Sequence, residues 1–136
     1  AFYSEYEKII FSGDTLFSLG CGRVFEGTYE QMFNSLHKFK KLPPETKIYC
    51  GHEYTKKNLE FCIQYEPNNE YLKKKKDLID AKIRSNLPSI PVSIEEELKT
   101  NIFLRCNEQV VKNALNLNKS SEQEIFVKLR DLKDNF

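Results

Sequence analysis

The chain of 136 residues is long enough for one domain or two small lobes, and its 40% content of hydrophobic residues is typical of a globular protein with a packed core. A net charge of +1 at pH 7 gives no support for a nucleic-acid-binding surface. The lysine run at 73–76 falls inside a helical pattern, so it indicates a solvated helix face.

The four cysteines include no Cys-x-x-Cys pair. This spacing argues against a disulfide framework and against a cysteine-based zinc site, and it favours a reducing, cytoplasmic setting. The sequence contains no apolar run long enough to cross a membrane and no basic-then-apolar leader. We therefore expect no membrane and no nucleic acid among the partners.

The first predicted element is a strand within residues 1–12, which ends at Gly13 and Asp14 in the stretch IIFSGDT. A second strand-like piece, TLFSLGC, runs into a glycine-rich loop. Thr28 and Gln31 then match a capping box, which predicts a helix that ends before the two prolines of KLPPE.

The next predicted strand, KIYC, leads to Gly51 and His52, in the same way that the first strand leads to Gly13 and Asp14. Two strands that each end on a glycine and a polar side chain predict a shared site at one rim of a sheet. Aspartate oxygen and histidine nitrogen suit zinc, iron or manganese better than calcium. From spacing alone, a turn-forming aspartate and an ordinary histidine are the alternative.

The pattern after His52 is helical. Helices are predicted from Thr55 to the stretch EPNN and then over about 69–84, 106–116 and 121–134. The connection NLPSIPVS is broken by prolines and is followed by a second capping box, SIEE. We therefore divide the chain into an α/β part, residues 1–53, and a helical part, residues 54–136.

The motifs GDTLFSLGCGRVFEGT and LPPETKIYCGHEYT resemble those of the hydroxyacylglutathione hydrolases, or glyoxalase II, a branch of the metallo-β-lactamase superfamily. The similarity continues through YEPNN, PVSIEEELKTNIFLR and LRDLKDNF, so it covers essentially the whole chain in the right order. It implies an α/β fold, namely the C-terminal half of a metallo-β-lactamase αββα sandwich followed by an all-helical C-terminal lobe.

The resemblance also implies a role for each residue that matches a family motif. Asp14, in GDTLF, would bridge two divalent metal ions, and His52, in CGHEY, would ligate the second; zinc is the expected metal, with iron and manganese as alternatives. The substrate-binding positions of the family correspond to Arg23, Phe25, Tyr54, Arg130 and Lys133. Phe25 stands where some members carry a tyrosine.

The implied reaction is hydrolysis of S-lactoylglutathione to glutathione and lactate by a metal-activated water, a step of methylglyoxal detoxification. Glutathione carries two carboxylates, which arginine and lysine side chains at the rim would attract and orient. Arg130 and Lys133 are three residues apart and share one helix face. From spacing alone, they fit a solvated charged helix end equally well.

One departure from the family pattern is large. Its T-H-x-H-x-D-H motif is absent, because the only histidines here are His37 and His52. Asp14 and His52 are fewer than the three protein ligands of a catalytic zinc. We therefore expect the C-terminal portion of the enzyme, inactive alone and completed by a separate N-terminal half chain. The alternative is a non-catalytic remnant or accessory module with a glutathione- or protein-binding surface.

Overall fold

The computed structural model describes residues 1–24 and 27–136, and its mixed α/β architecture confirms the predicted fold class. The strands are β1 Phe2–Ser4, β2 Ile9–Gly13, β3 Leu16–Phe17, β4 Gly20–Cys21, β5 Lys47–Cys50 and β6 Val92–Ser93. The helices are α1 Tyr29–Lys40, α2 Thr55–Tyr65, α3 Glu70–Arg84, α4 Ile94–Thr100, α5 Gln109–Ala114 and α6 Glu122–Asp134. A short 3-10 helix, Ile102–Leu104, lies between α4 and α5.

The main sheet has the strand order β1-β2-β5-β6. Its central pair, β2 and β5, is parallel and is connected through α1, whereas β1 and β6 pair antiparallel at the two edges. The strand predicted within residues 1–12 is in fact a hairpin, because the polar segment Glu5–Lys8 turns the chain back on itself. Parallel pairing brings the carboxyl ends of β2 and β5 to the same edge.

The helical part of the chain contributes one strand to this sheet, which the sequence did not predict. β6 follows the cis peptide bond Ile90–Pro91, and Val92 pairs with Ile48 of β5. Two residues are too short for an alternating pattern, so the sequence indicates only a proline-broken connection here. The division at residue 53 stays a prediction.

The helix starts follow the predicted capping chemistry. Thr28 and Ser93 each accept a hydrogen bond from the N3 backbone and receive the reciprocal N3 side chain, so both predicted capping boxes are confirmed. Asn69 caps α3 through Leu72 N. The helix predicted from about residue 106 begins later, at Gln109, because residues 106–108 form a turn in which Glu108 N donates to Arg105 O at 3.1 Å.

The two faces of the main sheet differ. On one face, Ile10 and Ile48 are buried in a single apolar cluster that also contains Leu36 and Phe126 from the helices. On the other face, Phe2, Phe11 and Tyr49 form a row in register across β1, β2 and β5, with ring centroids 6.5 Å and 5.6 Å apart. Phe2 is 65% exposed and Phe11 is 52% exposed, so this aromatic row lies open to solvent in the described structure.

Candidate active site

Asp14 and His52 meet at the edge where β2 and β5 both end. Gly51 N donates to Gly13 O at 2.7 Å, which continues the contact between the strands past their last paired residues. His52 Nδ1 lies 2.8 Å from Asp14 Oδ1, within hydrogen-bonding distance, and both side chains are accessible from solvent. The structure therefore brings the two predicted ligands together, while their role as ligands stays a prediction.

Two glycines allow this approach. Gly13 has a φ of 57°, in the left-handed region that glycine adopts without strain, and it directs the chain from β2 into Asp14. A Cβ at Gly51 would lie 2.6 Å from Asp14 Oδ1, closer than real Cβ contacts come. Glycine at position 51 therefore leaves the space that the Asp14 carboxylate occupies.

The ligand types at this site suit a divalent metal, but the number of candidate ligands is too small. A carboxylate oxygen and an imidazole nitrogen are ligands that zinc, iron and manganese accept. Within residues 1–24 and 27–136, no group of three or more His, Cys, Asp or Glu side chains could hold a metal ion. Asp14 and His52 could thus form part of a metal site, and the remaining ligands would have to come from elsewhere.

A cleft of about 410 Å³ opens beside this pair. The predicted site residues that line it are Asp14, Arg23, His52, Tyr54, Arg130 and Lys133. The other predicted residue, Phe25, lies outside the described residues. The cleft therefore gathers residues from the end of β2, the loops after β4 and β5, and α6.

Aromatic rings form the wall next to His52. The Tyr54 ring stacks on the imidazole of His52, with centroids 5.3 Å apart and planes at 9°. Phe17 meets Tyr54 edge to face at 5.2 Å. Contacts of this kind favour one ring orientation, so they help to hold His52 at the mouth of the cleft.

Arg130 is buried, and most of its donors are already used within the chain. Its Nη1 atom donates to the carbonyl oxygens of Cys21 and Gly22 at 2.7 Å and 3.3 Å. Its Nε and Nη2 atoms donate to Asp134 at 3.1 Å and 2.8 Å. The side chain therefore ties α6 to the chain after β4, and its predicted contact with substrate stays a prediction.

The same side of the cleft has an excess of positive charge. Arg23 and Arg130 share the carboxylate of Asp134, Arg23 at 3.7 Å. Lys133 lies nearby, and its pKa is lowered by burial and then by the charges of Arg130, Lys57 and Arg23. Positive charges that repel one another in this way favour the binding of an anion in the cleft.

Buried polar groups hold the β3–β4 hairpin, which carries Phe17 and Cys21 into the cleft. Glu97 accepts from Leu19 N at 2.9 Å and from Asn101 Nδ2 at 2.9 Å. Asn101 also donates to Gly20 O at 3.1 Å. Leu19 itself adopts a φ of 61°, a strained conformation that this hydrogen-bond set stabilises.

Glu97 is fully buried, and burial raises its pKa to about 7. Its Oε1 atom has no hydrogen-bond partner among the described residues. Near neutral pH, a substantial fraction of the Glu97 side chains is therefore protonated, which is unusual for a glutamate.

The cysteines and the second histidine lie outside the proposed chemistry. All four cysteines are free. Cys21 lines the cleft, and burial raises the pKa of its thiol to about 11, so it is a poor nucleophile at neutral pH. His37 contacts Glu122 at 3.0 Å and joins α1 to α6 away from the cleft.

Comparison with known proteins decides the family. Residues 53–136 match the family model described as hydroxyacylglutathione hydrolase C-terminus, and residues 1–52 match the metallo-beta-lactamase superfamily. The chain belongs to the hydroxyacylglutathione hydrolase family. The resemblance seen in the sequence motifs is thereby confirmed.

Curated members of this family align with the whole chain. A hydroxyacylglutathione hydrolase of Pelagibacter ubique is 58% identical over 135 residues, which are 99% of this chain and 51% of the relative. That of Bartonella tribocorum is 45% identical over 136 residues, covering 100% of this chain and 54% of the relative. The chain spans about half the length of the curated relatives it matches. No helix in the described ranges is long and apolar enough to cross a bilayer.

Proposed function

We propose that the chain supplies part of the active site of a metal-dependent thioester hydrolase that cleaves S-lactoylglutathione to glutathione and lactate. The observation that carries the proposal is the cleft, because it joins the Asp14–His52 pair to a cationic rim. Zinc as the metal, a cytoplasmic location and a role in methylglyoxal detoxification belong to the same proposal.

The residues divide into two groups. Asp14 and His52 would hold the metal, which when bound supplies Lewis-acid chemistry and a nucleophilic water at neutral pH. Arg23 and Lys133 would attract the carboxylates of the glutathione moiety, and the exposed Tyr54 ring would contact its peptide backbone. Phe25 belongs to the second group as a prediction from the family motif alone.

A partner would complete this site. We propose a separate polypeptide that corresponds to the half of the relatives that this chain does not match, and that this polypeptide supplies the remaining metal ligands. Its docking surface would be the row Phe2, Phe11 and Tyr49, because that row is apolar and lies open on the sheet that also carries Asp14. Exposed apolar faces of this kind mark interaction surfaces.

The substrate part of the proposal is tested by binding, without catalysis. S-hexylglutathione is a thioether and has no thioester bond to hydrolyse. It should bind the purified chain in isothermal titration calorimetry. Lys133→Gln should weaken binding roughly five- to tenfold, since one charge-assisted contact is lost. Lys128→Gln, an exposed change on the same helix, is the matched control and should leave the affinity unchanged. Equal affinities for all three proteins would contradict the assignment of the rim.

A non-catalytic accessory module is the second candidate. The observation in its favour is the incomplete donor set, since the described residues contribute only Asp14 and His52 at the proposed metal position. Such a module would bind S-hexylglutathione and still give no hydrolysis when the missing half is supplied.

A further inference from the structure

The cleft contains a cation that the family motifs do not assign. Lys57 lies in the first turn of α2, is exposed, and lines the cleft together with Lys133 of α6. Its neighbour Lys56 is also exposed but does not line this cleft. Both lysines line a neighbouring cleft, and Lys57 alone of the two also lines this one.

Lys57 and Lys133 form no ion pair within the described part of the chain, although Glu53 and Glu60 line a neighbouring cleft together with Lys57. Asp134 serves both arginines of the cleft, Arg130 at 2.8 Å and Arg23 at 3.7 Å. Across the described residues, no carboxylate lies within 4.0 Å of the ammonium group of Lys57 or of Lys133. Lys57 is close enough to contribute to the lowered pKa of Lys133. Two ammonium groups that line one cleft and repel each other form a position for an anion.

We infer that Lys57 is a further substrate-binding residue, which together with Lys133 binds one carboxylate of the glutathione moiety between α2 and α6. The inference rests on the proposed function, since it assigns a contact to the same substrate. Arg130 contributes less directly, because its donors hold the carbonyls of Cys21 and Gly22. The two lysine ammonium groups can therefore bind an incoming carboxylate. Lys57 would contribute to selectivity for ligands with ionised carboxylates.

The test compares two adjacent lysines on one helix. Isothermal titration of S-hexylglutathione into wild type, Lys57→Gln and Lys56→Gln should show a dissociation constant raised roughly five- to tenfold for Lys57→Gln and changed less than about twofold for Lys56→Gln. The loss should shrink as salt is raised, because screening already weakens the contact in the wild type. Circular dichroism checks that each variant is folded.

A second ligand distinguishes recognition of the carboxylate charges from recognition of the rest of the glutathione moiety. S-hexylglutathione diethyl ester lacks both carboxylates, so Lys57→Gln should not weaken its binding further. An equal loss for the ester would overturn the carboxylate assignment. Wild-type binding of S-hexylglutathione with no difference between Lys57→Gln and Lys56→Gln would overturn this inference and leave the proposed function standing. Failure of the wild type to bind S-hexylglutathione would overturn both.

Discussion

Arg130 shows at the scale of one residue how binding and structure overlap in this cleft. Its guanidinium is buried, contacts two backbone carbonyls on one side and a carboxylate on the other, and so joins the last helix to the chain after β4. A planar guanidinium can donate to the carbonyls and to the carboxylate at the same time, whereas a lysine ammonium cannot. The residue is therefore expected to matter for folding as well as for any contact with substrate.

We expect Arg130→Lys to lower the free energy of unfolding by about 2–4 kcal/mol, because buried carbonyls and Asp134 lose their partners. Urea unfolding followed by circular dichroism measures this loss. Arg23→Gln is the matched control, since it removes a more exposed guanidinium from the same cleft and should change stability by less than about 0.5 kcal/mol. Similar midpoints for the two variants would show that Arg130 has no special structural role.

At the scale of an element, the β3–β4 hairpin depends on groups that come from far away in the chain. Glu97 and Asn101 lie more than seventy residues after the hairpin and hold Leu19 and Gly20 by hydrogen bonds. Lys75, whose ammonium lies 3.8 Å from Glu96, carries a positive charge that partly offsets the effect of burial on the pKa of Glu97. The protonation of Glu97 therefore affects the wall of the cleft.

The raised pKa of Glu97 predicts a specific pH dependence. Because the folded-state pKa of about 7 lies above the ordinary glutamate value of 4.5, the contribution of the protonated side chain to stability is fully present below about pH 4.5 and is lost as pH rises through 7. Glu97→Gln imitates the protonated form, so the variant should match wild type near pH 5 and exceed it by about 2–3 kcal/mol near pH 8. Urea unfolding at several pH values measures the difference.

Glu95→Gln controls for the loss of a carboxylate on the same helix, since the Glu95 side chain is 61% exposed. Its difference from wild type should stay small across the same pH range. A constant difference between Glu97→Gln and wild type from pH 5 to pH 8 would contradict the account of a carboxylate with a raised pKa.

Some elements could be predicted from the sequence because their signals are local. The capping boxes at Thr28 and Ser93 and the apolar periodicity of α1 depend on residues within one or two turns. The repeated strand-glycine-ligand pattern predicted the approach of Asp14 to His52, since parallel strands end at one edge. The family motifs also predicted Arg23, Tyr54, Arg130 and Lys133, which all line one cleft, while their contact with substrate stays a prediction.

The features that the sequence did not predict depend on distant contacts. β6 is too short to leave a pattern in the sequence, and it is recognised as a strand by its antiparallel pairing with β5. Lys57 has the sequence context of any lysine on a charged helix, and only the three-dimensional structure shows that it lines the same cleft as Lys133. Glu97 is the last of three consecutive glutamates, and the sequence does not show that it alone is fully buried.

At the scale of the whole molecule, two observations agree. The described residues contain no group of three or more His, Cys, Asp or Glu side chains that could hold a metal ion, and one face of the main sheet presents an open aromatic row. Both fit a chain that spans about half the length of its curated relatives. A second polypeptide that covers the row would also approach the edge that carries Asp14 and His52, because the two features belong to the same strands.

The measurement that tests this account most directly is hydrolysis of S-lactoylglutathione by the chain mixed with the separately produced half of the Pelagibacter ubique relative that it does not match. We expect little or no hydrolysis from either polypeptide alone, clear hydrolysis from the mixture with zinc, and its loss with Asp14→Asn. A mixture that forms a complex and binds S-hexylglutathione without any hydrolysis would contradict the proposed enzyme. Equal hydrolysis by this chain alone would contradict the shared site.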